Sequence, residues 1–415
     1  MESMAAQTEN FALIRVVGVG GAGSNAVNRM IRAELLGVEF IAVNTDAQAL
    51  VKSHAPTRIR IGDGISRGLG AGGDSAVGER AAQEDIENLR AALEGSDLVF
   101  VTAGMGGGTG SGAAPVVAKI AKEIGALTIG IVTKPFVFEG KRRAAVAEAA
   151  ASELRKHVDT LIIIPNERLL SVVSRQTSME DSFRIADDVL RQAVKGVSDV
   201  ITVPGIINLD FADVRSIMRD AGSALMGIGR ASGENRATSA AEIAIASPLL
   251  EVDIQGATGV LINVAASATV TLHEVNEAIN HITARADDEA NIIFGTSLDE
   301  TLADEVQITV IATGFAGNAR SQSGSAASLR AEYPFGRDDA SANWSAPTSS
   351  AGITAPPAIP YAAPAQTAPA PSWTPSTHPA VSQEPIAPHL ASEEVSPAPV
   401  AGDDLEIPAF LRRRS

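Results

Sequence analysis

Short apolar runs alternate with amphipathic stretches over roughly the first 200 residues. The runs at 13–19, 40–44, 58–61, 98–101, 127–133 and 160–164 have the length and composition of buried strands. Stretches at about 26–33, 77–93, 113–120, 141–156 and 181–200 read as helices. In the last of these, Ala186, Val189, Leu190, Ala193, Val194 and Val197 repeat at i, i+3, i+4, i+7, i+8 and i+11, which is one buried helical face. Strands alternating with helices predict an α/β fold with a mostly parallel sheet covered on both sides. Further on, strands at about 223–230, 258–267, 290–298 and 305–313, with helices at about 239–246 and 272–284, predict a second, smaller α+β domain.

Past Phe315 the pattern stops. Fifteen of the 21 prolines lie beyond residue 316, mixed with Ala, Ser and Thr. Such a segment buries too little apolar surface to offset its ordering entropy, and it is expected to be disordered. Asp404 to Arg414 differs, being apolar and charged, and reads as a docking peptide at the end of a linker.

Glycine supplies the chemistry. Gly104-Met105-Gly106-Gly107-Gly108-Thr109-Gly110-Ser111-Gly112 follows one apolar run and precedes a helix, with six glycines in nine positions. Without Cβ atoms, the backbone N–H groups of such a loop can approach a ligand closely. Together with the positive end of the next helix they suit phosphate. A flexible turn is the bland alternative, but one or two glycines would serve it. Gly18, Gly20 and Gly23 form a second loop and satisfy G-x-G-x-x-G, a weak signal alone. Asp46, 23 residues past Gly23, keeps an NAD reading open. A third glycine loop includes Ala71, Gly72 and Gly73. All three fall at the carboxyl ends of expected strands, where parallel sheets bind ligands. A G-x-S-x-G match at Gly64, Ser66 and Gly68 lacks a following helix and is read as chance.

Composition narrows the choice. There is no cysteine, so disulfides, thiolate metal sites and cysteine nucleophiles are excluded. The six histidines are scattered, leaving magnesium on nucleotide phosphates as the expected metal. A net charge of −16 argues against nucleic acid as the main partner. Residues 1–10 read as a disordered N-terminal tail without a signal-peptide core, and no apolar run reaches the ~18 residues of a membrane span, so a cytoplasmic protein is expected. There is no G-x-x-x-x-G-K-[ST], which removes the P-loop class, and no kinase signature set.

Polar residues near the strand ends are the remaining candidates. Glu139 and Arg143 could meet a ribose or phosphate, or form only an i, i+4 surface pair. Phe183 and Asp187 could stack on a base and accept the N–H donors of guanine, or be a packed Phe and a solvated Asp. Asn208, Asp210 and Asp213 could position a hydrolytic water; the bland alternative is Asn208 as a helix cap with the aspartates complementing the helix dipole. The long helix places these aspartates about 30 Å from its own N-terminal end. One molecule could hardly bring both ends to one nucleotide, whereas two stacked head to tail could.

At these residues a family resemblance is evident. Gly106-Gly107-Gly108-Thr109-Gly110-Ser111-Gly112 resembles the GGGTG[ST]G signature of the tubulin/FtsZ GTPase family. Asn208-Leu209-Asp210-Phe211-Ala212-Asp213 resembles its N-x-D-x-x-D loop. With Gly20 to Asn25, Glu139, Arg143, Asn166, Phe183 and Asp187, the resemblance covers about residues 11–316, and Asp404 to Arg414 is similar to the family's C-terminal peptide. It implies a Rossmann-like GTPase domain over 11–180, a central helix at 181–203 and an α+β polymerisation domain at 204–316. A linker at 317–402 and a docking peptide at 403–415 would follow.

The resemblance further implies GTP or GDP with Mg2+, leaving open whether K+ joins it. Gly21, Ala22, Gly23, Ser24, Asn25, Gly108, Thr109 and Gly110 would meet the phosphates, with Gly20, Asn44, Ala71, Gly72, Gly73, Gly104, Gly106 and Gly107 completing the nucleotide set. Glu139 and Arg143 would meet the ribose and phosphate region. Asn25, Asn166 and Asp187 would contact guanine, with Phe183 stacked on it. Asp210 and Asp213 of one subunit would complete the site of the next in a head-to-tail homopolymer. The family's peptide docks on membrane-anchoring and regulatory division proteins, which implies the ring at the bacterial mid-cell, on the inner face of the membrane. A nucleotide-binding scaffold without hydrolysis and an NAD-dependent oxidoreductase are the alternatives.

Overall fold

The computed structural model describes residues 12–171, 174, 176–250 and 254–315. The expected N-terminal tail, the linker and the peptide from Asp404 to Arg414 lie outside the described residues. The strands are β1 (Ile14–Val19), β2 (Val38–Asn44), β3 (Thr57–Arg60), β4 (Leu98–Gly104), β5 (Leu127–Lys134), β6 (Thr160–Pro165), β7 (Gly222–Ser232), β8 (Gly259–Ala266), β9 (Asn291–Leu298) and β10 (Glu305–Thr313). The helices are α1 (Gly20–Arg32), α2 (Ala47–Val51), α3 (Asp63–Ser66), α4 (Ser75–Glu84), α5 (Ile86–Leu93), α6 (Thr109–Glu123), α7 (Lys141–Arg155), α8 (Asn166–Leu169), α9 (Met179–Thr202), α10 (Phe211–Met218), α11 (Arg236–Ile245) and α12 (Leu272–Thr283).

The sheet runs β3-β2-β1-β4-β5-β6-β7-β10-β8-β9. From β3 to β7 every pairing is parallel. Strands buried on both faces need apolar side chains throughout, which is why β4 reads Leu-Val-Phe-Val-Thr-Ala-Gly with almost nothing exposed. Beyond β7 the pairing turns antiparallel to β10 and on to β8, then parallel again to β9. The smaller unit is therefore joined to the first through the sheet. Gly222, Ser223 and Ala224 of β7 extend the parallel half beside Thr160, Leu161 and Ile162.

One core layer, which includes Val16, Phe100 and Ile131, packs with the buried stripe of α9. The opposite face, with Val17, Val101 and Val132, packs against Ala81, Leu89, Val117 and Leu154 of α4 to α7. A third cluster joins α11 and α12 to β8 and β10. The six positions read as the buried face of α9 are all buried.

Two boundaries differ from the sequence reading. α1 begins at Gly20 rather than near residue 26, because Gly20 at φ +73° turns the chain from strand into helix without a loop. Glycine's poor helix propensity hides that first turn in the sequence. The stretch at 77–93 is two helices, broken at Asp85, whose carboxylate accepts the Gly62 N–H (2.7 Å).

Candidate functional site

The glycine-rich first turn of α1, directly after β1, and the loop after β4 meet where the strand order changes direction, the point at which open α/β sheets bind ligands. Their contact is close. A Cβ on Gly20 would lie 2.9 Å from the Gly110 nitrogen. The second loop is shaped from within, since the Gly106 N–H donates to Ser111 Oγ (2.8 Å), and the Thr109 and Thr45 hydroxyls share a hydrogen bond (2.7 Å).

The glycines divide into two kinds, which the sequence reading did not distinguish. Gly21 and Gly107 have open space where a Cβ would stand, and both line the cavity between the loops. Gly112 instead lets α6 lie against α4, with a would-be Cβ 2.5 Å from the Glu79 nitrogen and closer still to the Ser75 carbonyl oxygen. Gly108 is pressed against Ala71 and the backbone of Asp74, so the third glycine loop leans on the second.

The cavity has a volume of about 260 Å³. Gly21, Ala22, Gly104, Gly107, Gly108, Thr109 and Gly110 line it together with Glu139, Arg143, Asn166, Phe183 and Asp187. Met105, Thr133, Pro135 and Ala186 also line it. Their sequence context marks none of these four as a ligand contact: Met105 sits among the loop glycines, Ala186 belongs to the buried stripe of α9, and Thr133 and Pro135 stand at and just past the end of β5 without a motif. Gly20, Gly23, Ser24, Asn25, Asn44, Ala71, Gly72, Gly73 and Gly106 do not form its wall. Asn44 turns its side-chain oxygen to the Asp46 N–H (3.2 Å). A larger groove of about 770 Å³ runs along α4 to α7, but it contains none of the candidate residues.

Several polar groups on the wall point to a ligand. Asn166 is buried, and its side-chain oxygen has no hydrogen-bond partner. Such an orphan costs about 1–3 kcal/mol unless a donor meets it. Asp187, at the first turns of α9, accepts from Arg29 Nε (3.2 Å). Burial pushes its carboxyl up to about 6; Arg29 opposes that shift and Asp188 adds to it. Phe183 exposes one face and packs edge-to-face on Phe136, with centroids 5.4 Å apart. Glu139 and Arg143 form the i, i+4 ion pair of the bland reading, yet both also stand in the cavity wall.

Asn208, Asp210 and Asp213 lie elsewhere. Asp210 is the N-cap of α10, and its Oδ1 accepts the Asp213 N–H (2.8 Å). Asp213 returns a bond by accepting the Asp210 N–H (3.3 Å). The expectation that Asn208 could be the cap is corrected, because its Oδ1 accepts the Gly205 N–H (2.6 Å) within the preceding loop. Phe183 and Asp187 stand near the start of α9, and the aspartates follow its end. Twenty-four helical residues at ~1.5 Å each put roughly 36 Å between those ends.

Two minor motifs resolve as structure. Asp46 caps α2, accepting from the Gln48 (2.8 Å) and Ala49 (3.3 Å) N–H groups, so it has a local use that needs no ribose. Ser66 is buried in α3 and donates to the carbonyls of Thr45 and Gly62, which leaves no exposed nucleophile. Among the described residues, no group of three or more His, Asp or Glu side chains forms a metal cage. A magnesium ion brought by a nucleotide would take most of its oxygens from phosphate and water.

Fold and cavity together define an α/β protein with a glycine-lined cavity at its switch point. The family model for the tubulin/FtsZ family GTPase domain matches residues 13–174, and that for the FtsZ family C-terminal domain matches 222–316. An FtsZ from M. jannaschii, described as an empty dimer, is 46% identical, with a TM-score of 0.72 over 74% of this chain and 89% of that one. A point mutant of M. jannaschii FtsZ is 47% identical, with a TM-score of 0.71 over 74% and 92%. CetZ1 from Haloferax volcanii, a GDP-bound monomer, shares the fold at 22% identity and a TM-score of 0.64 over 74% and 96%. The chain belongs to the tubulin/FtsZ family, whose members bind GTP and GDP and are GTPases.

Proposed function

We propose that this chain is a polymerising GTPase in which GTP occupies the glycine-loop cavity of one subunit and is hydrolysed by Asp210 and Asp213 of the next. The separation of cavity and aspartates along α9 carries this reading. Within one subunit the acidic pair cannot reach a nucleotide held by Phe183 and Asp187, but at a head-to-tail junction it can. Both regions also offer apolar surface for contact. Val137 and Phe138 beside the cavity are 74% and 59% exposed, and Ile206 in the loop before Asp210 is 71% exposed. The dimer described for the M. jannaschii FtsZ supports self-association.

In this reading the open N–H groups around Gly21 and Gly107 to Gly110 hold phosphate, with Gly20, Ala22, Gly23, Ser24, Gly104 and Gly106 setting the loops that present them. Asn44, Ala71, Gly72 and Gly73 back that arrangement. Glu139 and Arg143 border the ribose, and Phe183 offers its ring to the base. Asp187 accepts the N1–H and N2–H donors of guanine, Asn166 offers the orphaned oxygen, and Asn25 approaches from α1. Asp210 and Asp213, fixed by their reciprocal cap bonds, orient the attacking water and accept its proton. Bound magnesium supplies charge neutralisation on the phosphates. The finer reading is a filament of the bacterial division ring, tethered through Asp404 to Arg414 to membrane-anchored partners. The resemblance of that peptide to its family counterpart supports it.

The decisive test is GTP turnover per molecule across a range of protein concentrations. Negligible turnover at low concentration, rising above a threshold, is the expected result. Turnover independent of concentration would place the whole site in one subunit and overturn the reading. GTP binding without turnover at any concentration would favour a scaffold.

Asp187 gives a second expectation. Guanine needs its ionised form, whereas the ligand-free carboxyl titrates at about 6. Going from pH 7 to pH 5 should therefore weaken GTP binding about tenfold, beyond any change in an Asp187→Asn control. The effect on folding has the opposite sign. The folded state binds this proton more tightly than the unfolded chain, so the contribution to stability rises as pH falls from above 6 towards 4. Titrations of GTP at several pH values check the first, and ligand-free denaturation curves the second.

A further inference from the structure

We infer that Thr296 of β9 is a positioning residue for the hydrolytic loop, so that the strand farthest from the nucleotide cavity in sheet order sets the geometry of Asp210 and Asp213. The inference rests on the shared-site reading above. The loop leaves α9 after Thr202 and ends at the Asp210 cap. Within it, Ile207 is bonded to Thr296 through both backbone polar groups. The Thr296 N–H donates to the Ile207 carbonyl (2.9 Å), and Thr296 Oγ1 accepts the Ile207 N–H (2.8 Å).

The packing around this pair shows a seat built for the loop. A Cβ on Gly205 would overlap the Thr296 carbonyl oxygen, so the chain approaches β9 as closely as glycine permits. Asn208 then ties back to the Gly205 N–H (2.6 Å). On the neighbouring residue of the strand, a Cβ on Gly295 would stand 3.3 Å from Leu209 Cγ, so the absence of a side chain there makes room for Leu209. Gly205, Ile207 and Leu209 thus rest on Gly295 and Thr296, while Ile206 and Asn208 are exposed. Asp210 comes one residue after this seat. Its direction is set on one side by the cap of α10 and on the other by the loop.

The hydroxyl can be tested separately from the backbone bond. Thr296→Val keeps the β-branched shape and the N–H but leaves the Ile207 N–H without its acceptor; Thr296→Ser keeps the acceptor. A displacement of order 1 Å at a reacting group can cost about a hundredfold in rate. We expect Thr296→Val to lower kcat for GTP in filaments by about tenfold or more, with GTP affinity and KM within about twofold of wild type. Thr296→Ser should recover most of kcat. A residue serving stability alone would lower Tm or raise the assembly threshold without this split between kcat and KM.

Asp213→Ala, measured alongside, separates the two levels of the argument. If it abolishes turnover while Thr296→Val matches wild type, the positioning role is overturned and the shared site stands. If Asp213→Ala turns over normally, the shared site itself falls. Should Thr296→Val not assemble, amide exchange in the wild-type protein decides: slow exchange at Ile207 is expected, and exchange at the rate of an unstructured amide overturns the inference.

Discussion

Asp213→Ala is expected to lower GTP turnover in filaments by at least about a hundredfold while leaving GTP affinity nearly unchanged. Positioned acid–base groups contribute about 10²–10⁴ in rate, and in the proposed shared site two carboxylates would act on one water. Affinity should hold because Asp213 follows the far end of α9 from the cavity. A structural cost must be separated from the chemical one. Asp213 also closes the capping box by accepting the Asp210 N–H, and losing a cap bond costs about 1 kcal/mol. Asp213→Asn, which keeps an acceptor at that place without the charge, resolves the two. Turnover should stay low in both variants, with stability lower only in the alanine form. Recovery of turnover in Asp213→Asn would mean that the residue acts through the cap alone.

A second large effect is expected from two alanines five residues apart in one glycine-rich stretch, Gly107 in the loop and Gly112 in α6. Gly107→Ala adds a methyl where nothing lies within 4 Å, so the fold should be unaffected, with Tm within about 1 °C of wild type. That methyl faces the space assigned to phosphate and should weaken GTP binding by about tenfold or more. Gly112→Ala drives its methyl into the backbone of α4 at Ser75 and Glu79, and helices cannot yield there as a flexible side chain would. Overpacking of this kind costs about 1–3 kcal/mol, and each kcal/mol lowers Tm by roughly 2–4 °C in a domain of this size. Movement of α4 also shifts Asp74 and Ala71, on which Gly108 rests, so GTP binding should weaken as well. Thermal melts and nucleotide titrations of both variants check the pair. Unchanged GTP binding in Gly107→Ala would remove that loop from the phosphate site.

Asp187 and Asp46 show how far residue type alone carries an argument. Both were acidic residues near strand or helix ends, each with a ligand role available. Folding gave Asp46 two N–H groups of its own helix and gave Asp187 a place in the cavity wall beside Arg29. Nothing in the spacing of either residue separates these outcomes, because the partners come from elsewhere in the chain.

The alternation of strands and helices, the placing of glycine loops at strand ends, the buried stripe of α9 and the acidic pair beyond its end can be read from the chain alone. These are local patterns, set by side-chain period and by what a Cβ permits, and they are legible wherever one element governs them. The tertiary structure decided which glycines face open space and which hold α4 against α6, that Asn208 ties its own loop rather than caps α10, and that β7 joins both halves into one sheet. It also brought Met105, Thr133, Pro135 and Ala186 to the cavity and seated Ile207 on Thr296. Apart from the Asn208–Gly205 bond, which spans three residues, these depend on the close approach of residues far apart in the chain, and such contacts form only when the core layers bring the elements together.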